Sequence, residues 1–229
     1  MSLPQITVTP DLPYSVPPIE YPDLPKHPTK SWDTIERVRN PEDINTIIVH
    51  HMASEAPLDK QALYHVNTHQ WPGLSYHLVV SSGRLMQIND LLWFTYHASG
   101  HNPYTVSISI HGDLSKREMT SHERELLYAG ILSLKAVLPI TTILGHNEVN
   151  ATACPCTSMN QIRDDIAQLE MKIKSAVDPA KAKDEIIKSS NQHFYLFNTY
   201  LKDPSNKWLE GQLLELYKRM DELNLFFNR

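Results

Sequence analysis

Hydrophobic positions along the chain change period several times, and each change marks an element. Thr46-Ile-Ile-Val-His-His51 is a short β-branched run that predicts a buried strand. Residues 59–69 switch to helical spacing, with Leu63 and Val66 on one side and Asp59 expected as the N-cap. Residues 76–81 and 84–88 flank Ser82-Gly83 and predict a β-hairpin. Val106-Ser-Ile-Ser-Ile-His111 alternates strictly, which predicts a strand with its isoleucines on one face. A helix is expected from Thr120 or Ser121 to about Leu138, where Pro139 follows. Ser121-His-Glu-Arg lacks a full capping box, although Glu123 and Glu125 suit the positive end of the helix. Residues 141–145 predict another strand. From Met159 to Ala176, Ile162, Ile166, Leu169 and Ile173 recur at helical spacing.

Strands alternating with helices, one pair joined as a hairpin, specify an α/β fold. A mixed central β-sheet flanked by helices is expected over residues 40–176. Both flanks read differently. Eight of the 16 prolines lie within the first 28 residues, so residues 1–39 are expected to form an extended Pro-rich N-terminal arm. Ile6, Val8, Leu12, Val16, Ile19 and Leu24 intersperse the prolines, leaving open whether the arm docks or runs free. Residues 177–229 read as a helical C-terminal extension. Ile187, Ser190, Phe194, Phe197 and Leu201 share one stripe, and Asp203-Pro204 starts a helix that carries Leu209, Leu213, Leu216, Met220, Leu223 and Phe227. That seam suits a helical hairpin or a homo-oligomer formed through the C-terminal helices.

Composition and charge narrow the partners. With 41% hydrophobic and 21% charged residues among 229, the chain can bury a sizeable core. A formal charge of −5 and the lack of a basic run argue against nucleic acid or an anionic membrane surface as partner. Only Cys154 and Cys156 are available as cysteines, and one intervening residue spaces them poorly for a disulfide. The most apolar window, residues 126–144, contains Lys135 and Pro139, so no membrane span is expected. No basic segment precedes an apolar stretch at the N-terminus. A protein made in the cytoplasm without a signal peptide is the expectation.

Three strand ends and loops carry metal-ligating side chains. His50 ends the first strand, His146 follows another in Gly145-His-Asn-Glu-Val149, and Cys154 lies eight residues further on. Two imidazoles and a thiolate with an open fourth position form a catalytic zinc set. Any one of them alone is a weak signal among 12 histidines.

Taken in order, Ile48-Val-His-His51, Trp71-Pro-Gly-Leu-Ser-Tyr-His-Leu-Val79, His97-Ala-Ser-Gly-His-Asn102, Gly145-His-Asn-Glu-Val149 and Thr152-Ala-Cys-Pro155 resemble a known family. This is the zinc-dependent N-acetylmuramoyl-L-alanine amidases, which include bacteriophage lysozyme-type amidases and peptidoglycan recognition proteins. The resemblance covers about residues 45–165. It implies Zn2+ as cofactor, held by His50, His146 and Cys154, and peptidoglycan as partner. Tyr76 and Thr152 are implied as catalytic residues, and His97, Trp71 and Asn102 as substrate-binding. Thr152 departs from the lysozyme-type pattern, which has a Lys there, and matches the recognition-protein amidases.

The reaction implied is hydrolysis of the amide between N-acetylmuramic acid and L-alanine. A cell-wall substrate without a signal peptide resembles phage or prophage endolysins. Residues 177–229, with eight aromatics among 53 residues, are then a candidate wall-binding or oligomerisation element. The alternatives are a non-catalytic peptidoglycan-binding protein on the same fold, or an accessory domain of a phage structural protein. A cytosolic wall-recycling enzyme fits less well, since that branch usually replaces the Cys ligand with Asp.

Neighbouring residues have simpler readings. His51 and His77 each follow a site residue on an extended segment and should point away from it. Glu148 is expected to support its loop rather than act as a base. Cys156 as a fourth ligand would close the site. Trp71 and Trp93 suit sugar stacking or core packing.

Overall fold

The computed structural model describes residues 20–33 and 38–176, with side chains to residue 171. The apolar arm residues from Ile6 to Ile19 and all of 177–229 lie outside the described residues. In chain order the elements are β1 (Thr46–His51), α1 (Leu58–His69), β2 (Leu78–Ser81), β3 (Arg84–Gln87), β4 (Thr105–Ile110), α2 (Ser121–Val137), β5 (Thr142–Gly145) and α3 (Met159–Ala176). The strands form one sheet in the order β3-β2-β4-β1-β5. β1 is parallel to both β4 and β5, β2 is parallel to β4, and only the β2–β3 hairpin is antiparallel. This is the mixed sheet that the alternating pattern predicted.

The cap of α1 and the capping box of α2 differ from the sequence reading, although α2 opens at Thr120, one of the two starts expected. α1 begins at Leu58 with Pro57 in the cap position, and Asp59 sits in the first turn. There its carboxylate suits the helix dipole without capping. α2 is opened by Thr120, and its capping box is complete. Thr120 Oγ1 accepts the Glu123 N–H at 3.2 Å, while Glu123 accepts the Thr120 N–H at 2.8 Å. The box starts one residue before the four residues that appeared to lack it.

Register assigns the two sheet faces. Ile48 pairs with Ser107 and His50 with Ser109, so these four share one face. Val106, Ile108 and Ile110 take the other face. α2 lies against it so closely that a Cβ at Gly130 would collide with Ile108 Cδ1 and crowd Leu85. All six β4 residues are buried, the serines included. The polar side of β4 is therefore an interior floor: Ser107 Oγ accepts the His77 N–H at 3.1 Å.

The described part of the arm is docked. Glu20 adds one parallel bridge to the β3 edge, its N–H donating to Leu85 O and its carbonyl accepting from Gln87. Further on, the His27 N–H donates to Pro72 O, and Trp32 is 3% exposed with its ring edge-on to Tyr96. Capping an exposed strand edge also removes a template for unwanted pairing. Among the described residues, no helix is long and apolar enough to cross a membrane.

Arg39 enters the interior from this side. Its guanidinium donates to the carbonyls of Leu91, Leu92, Asn102 and Thr105, and lies 3.1 Å from His77 Nε2. Those carbonyls belong to the loop between β3 and β4 and to the start of β4. One side chain thus satisfies backbone acceptors that water cannot reach. Arg39→Met is expected to lower unfolding free energy by about 3–5 kcal/mol, because several buried acceptors lose their donor together. Urea denaturation measures this, and a loss below about 1 kcal/mol would contradict the role.

Candidate metal centre

Val49 of β1 pairs with Gly145 of β5 in a parallel ladder. The residues that follow, His50 within β1 and His146 just past β5, therefore stand side by side, with ring centroids 4.5 Å apart. His146 opens a short 3-10 turn, His146–Glu148, and the chain then returns to Cys154. Three ties hold this return. The Asn147 N–H donates to Cys154 O at 2.7 Å, the Gly145 N–H donates to Glu148 at 2.7 Å, and Arg163 of α3 binds both Glu148 and Ile143 O. A Cβ on Gly145 would stand 2.8 Å from Met159 Cγ and 3.0 Å from Pro155 Cδ, so glycine is needed for that close approach.

One ligand atom each from His50, His146 and Cys154 falls within a 4.8 Å group able to hold a metal ion. His50 Nδ1 and Cys154 Sγ are 3.7 Å apart, and the His51 N–H points at the sulfur from 3.4 Å. On His146, Nε2 faces Asn150 Oδ1 at 3.2 Å; an amide oxygen only accepts, so Nε2 carries the proton and Nδ1 the lone pair. Burial, reinforced by the neighbouring His97, His146 and His51, holds His50 well below the ordinary imidazole range. Burial lowers His146 too. The Cys154 thiol is pushed up to about 11, chiefly by burial. Without a cation the three groups are thus neutral, with lone pairs on both rings and a proton on sulfur.

Tyr76 lies beside the group, its ring 5.3 Å from that of His50. Asn89 fixes this stretch by donating to the carbonyls of Leu74 and Tyr76. Burial raises the phenol, which keeps Tyr76 a neutral hydroxyl. Thr152 is exposed, and its Oγ1 accepts the Cys154 N–H at 3.2 Å. That bond uses an oxygen lone pair and leaves the hydroxyl proton to be donated elsewhere.

The three residues expected to bind substrate are placed differently from one another. His97 is 7% exposed and lies behind His50, with Nδ1 3.2 Å from His50 Nε2 and Nε2 3.2 Å from Thr105 Oγ1. Asn102 is buried as well, its Oδ1 accepting the N–H groups of His97 and Ala98. Both stand under the site, committed to protein partners, instead of lining an open groove. Trp71 is partly exposed, stacked on His69 at 4.5 Å and edge-on to His65 at 5.0 Å.

The neighbours keep their structural roles. His51 Nδ1 accepts the Leu114 N–H, and His77 Nδ1 accepts the Ser107 N–H. Burial pushes Glu148 up, but Arg163 and the Gly145 N–H more than offset this and hold its carboxyl below the usual range. Cys156 lies outside the ligand group, its sulfur 3.1 Å from Ala153 O. Arg39, Thr105 and Asn150 were not singled out from the sequence. Asn150 alone carried a local cue, four residues after His146.

Comparison with known proteins agrees with this geometry. Residues 40–157, just over half of the chain, match the family model described as N-acetylmuramoyl-L-alanine amidase. No curated protein sequence matches the chain. Among solved structures, the endolysin amidase LysCS of Clostridium intestinale superposes with a TM-score of 0.56 at 21% identity, covering 67% of this chain and 97% of that one. Bumblebee PGRP-SA gives 0.53 at 19% identity, covering 64% and 94%. Peptidoglycan recognition protein LE, solved with tracheal cytotoxin, gives 0.52 at 16% identity, covering 60% and 86%. These structures share the fold. The family match, with the His50, His146 and Cys154 group inside it, establishes that the chain belongs to the N-acetylmuramoyl-L-alanine amidase family.

Proposed function

We propose that the protein is a zinc-dependent amidase of the endolysin type, which cleaves the bond between N-acetylmuramic acid and the L-alanine of the stem peptide. The observation that carries this reading is the convergence of two neutral imidazoles and one thiol at the β1 and β5 ends. The donor set fits the ion. The 3.7 Å between Nδ1 and Sγ is close to the roughly 3.5 Å edge of a tetrahedron with bonds of about 2.0 Å to nitrogen and 2.3 Å to sulfur. Zinc held there supplies a Lewis acid that activates water and polarises the scissile carbonyl.

The remaining work falls to the protein's own groups. His50 and His146 present lone pairs, and Cys154 gives up its proton as the ion enters. Thr152, its oxygen engaged by the Cys154 N–H, donates a hydrogen bond to the carbonyl oxygen as charge builds there. Tyr76, a neutral hydroxyl beside His50, orients water or the substrate carbonyl. Trp71 offers a partly exposed ring to the substrate. Glu148 is occupied by Arg163 and does not serve as the base.

Two kinds of neighbour bear on the biological setting. The endolysin LysCS supports the endolysin setting. On that reading the enzyme is made in the cytoplasm and acts on the wall, and residues 177–229 serve as its wall-binding or oligomerisation element. Recognition proteins on the same fold favour a second reading, binding of peptidoglycan without cleavage. The complete His, His, Cys set favours the hydrolase.

Digestion of purified peptidoglycan is expected to release amino termini and no reducing sugar ends. A zinc chelator should abolish release, and added zinc should restore it. His50→Ala should lower the rate by more than about 100-fold, the loss of several kcal/mol of transition-state stabilisation. Reducing ends would indicate a glycosidase, and binding without release would favour the recognition reading.

Thr152→Val is expected to lower kcat by about 100-fold or more, as for loss of one oxyanion donor, with Thr152→Ser retaining most activity. A comparable loss in Tyr76→Phe alone would move the role to Tyr76.

Zinc uptake near neutral pH should release about one proton, because the thiol titrates near 11 while both rings titrate below 6.5 and are already neutral. Affinity should therefore rise about tenfold per pH unit above neutrality. Titration calorimetry in buffers of different ionisation heat measures the proton count; an affinity independent of pH would contradict it.

A further inference from the structure

Beneath the ligand group, the polar side chains form a directed chain. Thr105 Oγ1 donates its single proton to His101 O at 2.9 Å. Toward His97 Nε2, at 3.2 Å, it can therefore only accept, which places the His97 proton on Nε2. His97 Nδ1 is left with a lone pair, 3.2 Å from His50 Nε2. His50 must then carry its proton on Nε2, and its lone pair on Nδ1 faces Cys154 Sγ.

We propose that His97, itself oriented by Thr105, is the positioning residue that fixes which ring nitrogen of His50 is offered to the metal. The inference rests on the reading of the centre as a metal site. The chain is interior: His50, His97 and Thr105 are 1%, 7% and 0% exposed. A flipped His50 ring would leave a buried lone pair and a buried N–H without partners, which costs more here than at a wet surface. The backbone around the chain is anchored as well. Asn102 Oδ1 accepts the His97 N–H, and Arg39 donates to the carbonyls of Asn102 and Thr105. His146 has a separate device, Asn150, so each imidazole ligand has its own orienting group.

Two measurements test this. In metal-free wild-type protein, long-range proton–nitrogen NMR of the imidazoles should show both His50 and His97 protonated at Nε2. A His50 protonated at Nδ1 would overturn the proposal. Zinc affinity, measured by competition with a chromophoric chelator, should fall about 10–100-fold in Thr105→Val and in His97→Leu. His97→Asn should recover most of it, since an amide oxygen can accept where Nδ1 did; a merely space-filling His97 predicts no such rescue.

Unchanged zinc affinity in both Thr105→Val and His97→Leu would also overturn the relay. If His97→Leu does not fold, Thr105→Val and the wild-type spectrum still decide. Failure of the wild type to bind zinc would instead sink the metal reading, while the metal-free spectrum continues to report on the relay alone.

Discussion

Parallel pairing of β1 with β5 is the constraint on which the rest of the site depends. Because Val49 opposes Gly145, His50 and His146, each next in the chain, come to the same end of the sheet. Two imidazoles 96 positions apart in the chain thereby become neighbours without any adjustable loop between them. A slip of one residue would turn His50 to the α2 side and bring His51 forward. Pairing of β1 with β4 on its other side removes that freedom, and six consecutive pairs hold the register. The ends of parallel strands are where open α/β sheets commonly place their chemistry, and here the register shows why.

The second constraint is the cost of burying polar groups. His50, His77 and His97 are almost wholly interior, and burial lowers the pKa of each. Neutral rings need partners for both nitrogens or a ligand for one. The serine and threonine positions of β4 supply those partners: Ser107 for His77 and Thr105 for His97. The polar positions that alternate with the isoleucines of β4 form a buried polar layer beneath the histidines. The alternation that specified a strand also furnished the orienting groups.

Much of this was legible in the chain. β1 and α3 have the boundaries that periodicity assigned, and the mixed sheet followed from the alternation of elements. His50, His146 and Cys154 were legible as candidates from their places at strand ends and in the loop that follows, and the ordered motifs of the family resemblance singled them out as a set. The errors were local. Thr120, not Ser121, opens the capping box, and Asp59 lies inside its helix rather than capping it. Arg39 was not readable, because an isolated Arg carries no periodic or motif signal until the fold brings partners from 52 to 66 residues away. Thr105, only eight residues from His97, carries no motif signal of its own either. His97 was legible as a site residue, but its depth was not, since burial behind another side chain leaves no mark in spacing.

Arg39 has a consequence for how such domains can be exchanged. The stretch that matches the family begins at residue 40, one position after the side chain that closes the interior beneath the histidines. Glu20, His27 and Trp32 lie further upstream, the first two tied to this body by backbone hydrogen bonds and Trp32 buried in it. Recombination at the edge of the recognisable segment would thus transplant the ligands and leave their foundation behind. The packed body extends upstream of its motifs, and the prolines among the described residues 20–33 do not set that stretch apart from it.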